Sequence, residues 1–208
     1  MTEPPTITVY TDYKSPYAYL AKDLAYDLAR DCGVRLDWRP YILDIPSYLG
    51  SARVDDSGTV LEEDRNPHQW RRVRYSYMDC RRQARKRGLT IRAPQKIWDS
   101  TLAAAAMLYA QRAGDTVFRH YHDTVFERFW QRALDIENLD ALATVLAEAG
   151  ADASGFRTTA EALCAEVATI SRTAEAEGVF GVPTFVLAGE IYWGREHLPD
   201  IREQLTQS

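Results

Sequence analysis

The sequence predicts an α/β fold in which a run of helices separates two parts of one sheet. A strand, a helix and a second strand follow one another at the N-terminus, and two short strands around Ala188-Gly189 return near the C-terminus. Helical periodicity dominates the region between them. Because 208 residues fit one domain, we expect a single domain over residues 1–208 with a helical insertion at about residues 66–150.

The N-terminal unit begins with a strand at Thr6–Tyr10 and a helix at Pro16–Arg30. Ser15 lies at the N-cap position, and Pro16 at the first helical position needs no N–H partner. One apolar stripe lets this helix pack on a sheet. The stripe consists of Ala21, Leu24, Ala25 and Leu28.

The second strand is predicted at Val34–Arg39, where apolar and polar residues alternate. The segment Tyr41–Asp64 has no clear period and contains several Pro, Gly and Ser residues, so we predict a long loop there.

Start and stop signals define the later elements. Asn66-Pro67 is a cap followed by proline, and Gly88 ends the helix that it begins. Ala188-Gly189 predicts a tight hairpin turn. The helices are predicted at Asn66–Arg87, Thr101–Arg112, Thr116–Arg132, Leu139–Ala149, Thr159–Glu177 and Glu196–Leu205, and the last two strands at Thr184–Leu187 and Glu190–Trp193.

Composition limits the possible functions. Residues 1–5 carry no basic or apolar leader, and no run reaches 18 apolar residues, so we expect a soluble cytoplasmic protein without a membrane partner. The three cysteines are far apart and form no Cys-x-x-Cys, which fits a reducing compartment. The four histidines form no metal-ligand pattern, so no metal is expected.

The charge is uneven along the chain. The net charge is −5, yet residues 65–96 hold 11 of the 25 Lys and Arg residues. We favour a solvated helix face for this segment. Recruitment of an anionic substrate is the alternative, and the acidic composition argues against nucleic acid as a partner.

Ser15 and Pro183 are the first candidate functional residues. A hydroxyl at a helix N-terminus suits an anion such as a thiolate, although Ser15 could serve only as a cap. Pro183 precedes a strand, where a cis Val182-Pro183 bond would turn the Val182 backbone outward. The alternative for Pro183 is a plain structural turn.

These motifs together resemble a known family. A Ser-Pro helix start after the first strand and a Val-Pro-Thr start of a late strand resemble the thioredoxin fold. More narrowly, they resemble the 2-hydroxychromene-2-carboxylate isomerases, which belong with the kappa-class glutathione transferases in the DsbA-like branch of that fold. The residues concerned are Asp12, Ser15-Pro16-Tyr17, Tyr19-Leu20, Val179-Phe180-Gly181-Val182-Pro183-Thr184 and Tyr192-Trp193-Gly194.

The resemblance implies an enzyme that uses reduced glutathione as its cofactor. Ser15 would favour the glutathione thiolate, and the Val182 backbone beside Pro183 would pair with the cysteinyl part. The thiolate would add reversibly to an aromatic unsaturated acid or related electrophile and so isomerise it, or form a stable conjugate as a transferase does. The family is commonly dimeric, which implies a homodimer.

Further site residues also come from the resemblance. Asn66 matches a glutathione-contacting Asn, although the cap function predicted above is an equal alternative. Glu196 would hold the γ-glutamyl end, where the family has an acid followed by Arg. His197 replaces that Arg, and Arg195 is a candidate to compensate, which leaves another low-molecular-weight thiol open.

Two questions remain open from the sequence. Tyr17 and Trp98 are candidates for an aromatic substrate pocket, with burial in the core as the alternative. A DsbA-like member that has lost its Cys-x-x-Cys could also be a non-catalytic binding module. Disulfide exchange itself is disfavoured, because Ser15-Pro16-Tyr17-Ala18 contains no sulfur where a dithiol oxidoreductase has its cysteine pair.

Overall fold

The computed structural model describes residues 4–207 and confirms the α/β fold class. The chain divides into two compact units, residues 4–43 with 168–207 and residues 44–167. The second unit includes the predicted insertion. The single-domain assignment over residues 1–208 stays a prediction, and its residues 1–3 and 208 lie outside the described part of the chain.

The elements follow in chain order. The strands are β1 (Thr6–Thr11), β2 (Arg35–Pro40), β3 (Ala52–Val54), β4 (Val60–Glu63), β5 (Thr184–Leu187) and β6 (Glu190–Trp193). The α-helices are α1 (Pro16–Cys32), α2 (Ile45–Leu49), α3 (Pro67–Lys86), α4 (Thr101–Ala113), α5 (Asp115–Trp130), α6 (Leu139–Glu148), α7 (Ala153–Ala176) and α8 (Leu198–Gln207). A 3-10 helix over Arg195–His197 precedes α8.

The first unit contains a four-stranded sheet of order β2-β1-β5-β6. Strands β1 and β2 are parallel and are joined through α1, whereas β5 is antiparallel to both β1 and β6. The predicted hairpin turn is confirmed: Ala188 and Gly189 both have positive φ, 51° and 84°. That conformation suits the right-handed twist of the two strands.

Apolar side chains from β1, α1, β5 and α8 form the core of this unit. Full burial of a Val, Leu, Ile or Phe side chain contributes about 1.5–3 kcal/mol to the free energy of unfolding. The predicted stripe of α1 is buried at Ala21, Ala25 and Leu28, whereas Leu24 is partly exposed. Other core residues are Ile7, Val9, Leu20, Phe185 and Ile201.

The second unit is mainly helical, and α4, α5 and α6 pack on one another. Four consecutive alanines of α4, residues 103–106, are buried, and their small side chains let the neighbouring helices approach α4 closely. Helix α3 buries only Val73, Cys80 and Ala84 and exposes most of its arginines, so its basic run forms a solvated face. The core of the unit includes Tyr121, Val125, Phe126, Trp130, Leu142 and Leu146.

The prediction of an irregular loop over residues 41–64 was wrong. This segment contains α2, β3 and β4. Asp44 caps α2 by accepting from the N–H of Ser47, and the Asp44-x-Pro46 pattern was the signal for it. All four residues of β4 are exposed, so the strand lacks the apolar alternation that sequence analysis detects.

Two helix boundaries also differ from the prediction. Helix α7 begins at Ala153 instead of Thr159, because the carboxylate of Asp152 accepts from the N–H of Ser154 and stabilises an earlier start. The predicted terminal helix Glu196–Leu205 is divided into the 3-10 turn and α8. Within residues 4–207, no helix combines the length and apolar character needed to cross a bilayer.

Candidate functional site

Ser15 lies where β1 ends and α1 begins, and only 3% of it is exposed. Its Oγ accepts from the N–H of Ala18 at 3.2 Å, which confirms the predicted N-cap. Its hydroxyl hydrogen is not donated to any residue in the described range 4–207. A hydroxyl has one donor and two acceptor positions, so Ser15 can cap the helix and still donate to a bound anion.

The turn before Ser15 is organised by the carboxylate of Asp12, whose side chain is fully buried. One carboxylate oxygen accepts from the N–H of Lys14 at 3.1 Å and the other from the N–H of Leu43 at 2.8 Å. The buried Lys14 ammonium lies 3.3 Å from the second oxygen, and the Asp12 carbonyl accepts from the N–H of Ser15 at 3.0 Å. Asp12 therefore joins the Ser15 turn to the chain after β2.

Asp12 has no role predicted from the sequence, where it belongs only to the family motif. The available signal was its position three residues before the cap, because Asp side chains often bond to nearby backbone N–H groups in turns. Its bond to Leu43 could not be foreseen, since that contact depends on β2 lying beside β1.

Val182 and Pro183 lie at the same end of the sheet. The peptide bond between them is cis, as expected. Tyr10 is opposite Thr184, so the chain before β5 runs beside the chain that leads from β1 to Ser15. Among residues 4–207, neither the N–H nor the C=O of Val182 forms a hydrogen bond, whereas the Pro183 carbonyl accepts from Gly194 at 2.9 Å.

The segment after β6 brings charged groups to the first turn of α1. The Arg195 guanidinium lies 5.9 Å from the centroid of the half-buried Tyr17 ring and has no ion pair within the described chain. His197 is occupied by Asp200, with Nδ1 and Oδ2 3.0 Å apart. Arg195 is therefore better placed than His197 to bind a carboxylate.

Glu196 is exposed and has no ion pair with any described residue. Its carboxylate lies against Gly194, where a Cβ would collide with it. Gly194 also has a positive φ of 108°. The positive φ, and not the flexible Glu196 carboxylate, explains why glycine occupies the position before Arg195.

Asn66 belongs to the second unit and forms a complete capping box. Its Oδ1 accepts from the N–H groups of His68 and Gln69, both at 2.9 Å, and Gln69 accepts from the N–H of Asn66. The cap prediction is therefore confirmed. Only Nδ2 of this side chain remains for a further contact.

Trp98 also belongs to the second unit, where it lines an open cleft of about 390 Å³ beside the β3–β4 hairpin. Its ring packs edge-on against Phe129, with centroids 5.9 Å apart, and Lys96 Nζ lies 4.3 Å from its centroid. A cleft of this size can hold a small ligand. Trp98 is therefore half-buried: its ring packs against the core residue Phe129 and also lines the cleft.

The chain's own cysteines are poor candidates for sulfur chemistry. Burial raises the pKa of the Cys164 thiol, and the nearby carboxylates of Asp99 and Glu161 raise it further. Cys80 is fully buried, and Cys32 lies at the C-terminal end of α1, the opposite end from Ser15. Because the thiolate is the reactive form, a sulfur nucleophile at this site would have to come from a bound thiol.

Comparison with known proteins identifies the family over almost the whole described chain. Residues 6–206 match the DSBA-like thioredoxin domain family. A 2-hydroxychromene-2-carboxylate isomerase of Sphingobium xenophagum is 26% identical over 210 residues, which cover 96% of this chain and 97% of the relative. The resemblance found in the sequence is thus confirmed.

Solved structures support the same fold. A 2-hydroxychromene-2-carboxylate isomerase has a TM-score of 0.73 and 22% identity, covering 97% of this chain and 95% of its own. A probable DsbA oxidoreductase of Streptomyces coelicolor has a TM-score of 0.75 and 20% identity, covering 98% and 89%. The cytosolic disulfide reductase DsbM of Pseudomonas aeruginosa, solved with GSH, has a TM-score of 0.61 and 19% identity, covering 97% and 98%.

The position of Asp12 gives a stability prediction. Asp12→Ala should lower the free energy of unfolding by about 3–5 kcal/mol, because it leaves the buried Lys14 ammonium without this carboxylate. Urea denaturation measures the loss. Lys14→Met added to Asp12→Ala should recover part of it, since the buried charge is then removed.

A matched control is Asp37→Ala, which removes an exposed carboxylate 2.8 Å from Arg39. It should cost no more than about 1 kcal/mol. Equal losses for Asp12→Ala and Asp37→Ala would contradict the role assigned to Asp12.

Proposed function

The chain belongs to the DSBA-like thioredoxin domain family, and from this premise we propose that it is a glutathione-dependent isomerase of aromatic unsaturated acids or related electrophiles. The observation that carries the proposal is the Ser15 hydroxyl. It lies at the N-terminus of α1 with its hydrogen undonated within the described chain. The name of the relative from Sphingobium supports the reaction class.

Ser15 and the helix end would activate the thiol. A free thiol has a pKa near ~8.5, and a helix N-terminus can lower it to roughly 3.5–7.5. A hydrogen bond donated by Ser15 to sulfur would favour the thiolate further, because it stabilises the charged form. Bound glutathione would then be largely ionised at neutral pH.

The reaction is reversible thiol addition. The thiolate attacks the β-carbon of the conjugated carbonyl, a C–S bond forms, and the alkene electron pair moves to the carbonyl oxygen as an enolate. Rotation about the new single bond changes the geometry. Return of the pair re-forms the alkene and expels the same thiolate, so no electrons or protons are consumed.

The same site would be a transferase with an electrophile whose adduct does not eliminate. In that case the enolate takes a proton from water at the α-carbon, and the C–S bond remains. The electrophile, and not the protein, decides between these outcomes.

The Val182 backbone, which is unpaired within residues 4–207, supports a peptide-like thiol. Its N–H and C=O can pair with the cysteinyl residue of glutathione in the manner of an added β-strand. Glu196 would bind the ammonium of the γ-glutamyl end, and Arg195 its carboxylate. Both charged side chains lack an ion pair in the part of the chain that the structure describes.

The remaining assignments extend this proposal. Asn66 would contact the thiol through Nδ2, and Tyr17 and Trp98 would contact the aromatic part of the substrate. The proposal also includes a cytoplasmic location, which the scattered cysteines support, and a homodimeric assembly.

Removing the Ser15 hydroxyl tests thiol activation. In wild-type protein, thiolate absorbance should titrate with a bound-thiol pKa well below ~8.5, and Ser15→Ala should raise it towards that value. The thiolate fraction at neutral pH should therefore fall in the variant. Calorimetry with reduced glutathione gives the affinity in parallel.

Asn138→Ala is the matched control. Asn138 caps α6 by accepting from the N–H of Ala141, the same spacing as Ser15 and Ala18. Both substitutions should lower stability by about 1 kcal/mol, but only Ser15→Ala should change the thiol pKa. Unchanged thiol titration in Ser15→Ala would reduce Ser15 to a cap and favour the binding-module alternative.

Asn66→Asp separates capping from thiol binding. Aspartate keeps an acceptor oxygen for His68 and Gln69 but loses Nδ2, so stability should be maintained while glutathione affinity falls severalfold. Asn66→Ala should lose both properties. Equal glutathione affinity in wild type and Asn66→Asp would leave Asn66 with the capping function alone.

Arg195→Gln tests recognition of the thiol's carboxylate. Because a charge-assisted hydrogen bond is lost, the glutathione Kd should rise by roughly tenfold. His197→Gln is the control and should leave the Kd unchanged, since His197 is engaged with Asp200. A larger effect at His197 than at Arg195 would reverse this assignment.

A further inference from the structure

Phe180 and Trp193 form an exposed aromatic pair. Phe180 is 64% exposed and Trp193 is 51% exposed, and both are among the most exposed large apolar residues of the described chain. Their ring centroids are 4.9 Å apart at an interplanar angle of 51°. Exposed apolar surface of this kind often marks a binding site.

The pair is held in a defined position. Trp193 pairs with Thr184 at the end of the β5–β6 hairpin, and the N–H of Gly194 donates to the Pro183 carbonyl. The indole also covers Gly181, where a Cβ would lie 2.7 Å from Nε1. Glycine at position 181 is therefore required for the close approach of the Trp193 ring.

The pair borders the part of the site that would bind the thiol. Phe180 and Gly181 directly precede Val182, whose N–H and C=O have no partner within residues 4–207. Trp193 directly precedes the segment that carries Arg195. The aromatic pair is thus next along the chain to both the unpaired backbone and the segment with the cationic group.

We infer that Phe180 and Trp193 bind the aromatic ring of the electrophile and determine the preference for aromatic over aliphatic substrates. This inference rests on the proposed function, because it assigns the second reactant of the same site. Glutathione consists of polar groups joined by short methylene segments and has no ring to stack on Phe180 and Trp193. An aromatic electrophile that reacts with its sulfur has such a ring.

The two rings alone do not make up an interface with a second copy of the chain. Two half-exposed aromatic side chains offer on the order of 200–250 Å². A stable interface buries roughly 800 Å² on each partner. A planar ring stacked on the pair needs no more surface than the two side chains provide.

The test compares ketones that differ only in the ring. Benzylacetone and methyl propyl ketone have no conjugated double bond and cannot undergo thiolate addition at a β-carbon. Their binding is followed by tryptophan fluorescence without glutathione. Benzylideneacetone and ethylideneacetone are their conjugated counterparts, and their kcat/KM values are measured with glutathione present. The variants are Phe180→Leu and Phe180→Tyr, and Tyr75→Leu, which removes an exposed ring from α3, is the control.

We expect wild-type protein to prefer the phenyl ketone in both assays. Phe180→Leu should reduce this preference by up to about tenfold, as loss of an aromatic contact predicts, while Phe180→Tyr and Tyr75→Leu retain it. The glutathione Kd should be the same in all four proteins. Because Phe180 is exposed, the substitutions should not impair folding.

Several results would overturn the inference. An unchanged aromatic preference in Phe180→Leu would remove Phe180 from the ring site and leave the ring to Tyr17 and Trp98, the residues proposed above. Weaker glutathione binding in Phe180→Leu would assign the pair to the thiol, and dissociation of a dimer in sedimentation would assign it to an interface. Absence of glutathione binding to wild type would refute the proposed function, whereas the ketone titrations would still decide the ring site.

Discussion

The buried carboxylate of Asp12 is the interaction on which the candidate site depends. It binds two backbone N–H groups and the Lys14 ammonium, and one of those N–H groups belongs to Leu43, far along the chain. A buried charge is tolerable only when it is paired and hydrogen-bonded. The need to satisfy Asp12 therefore fixes the turn that carries Ser15 and joins it to the chain after β2.

Helix capping and ligand binding need not exclude each other at this site. A serine hydroxyl accepts from the helix through oxygen and donates to a ligand through hydrogen, so both interpretations of Ser15 are compatible. Asn66 has the same arrangement, because its oxygen is used by the capping box while its NH₂ group is not. Each cap thus orients a donor that the helix does not need.

The proposed thiol would come from outside the protein. The pKa of Cys164 is raised by burial and by neighbouring carboxylates, and Ser15 occupies the helix end where a dithiol enzyme of this fold would place sulfur. The backbone of Val182 is unpaired within residues 4–207, and exposed rings lie on either side of it in sequence. Polar and apolar surfaces therefore adjoin where two different reactants would meet.

The sequence by itself determined the fold class, most helix boundaries and the cap at Ser15, because these depend on local patterns of apolar residues, prolines and capping side chains. It missed α2, β3 and β4, because α2 and β3 are only five and three residues long and β4 is exposed along its whole length. Only the tertiary structure brought Leu43 to Asp12, Arg195 to Tyr17 and Trp193 to Phe180. Those contacts join residues distant in sequence, and their partners are decided by sheet order and strand register, which no local pattern encodes.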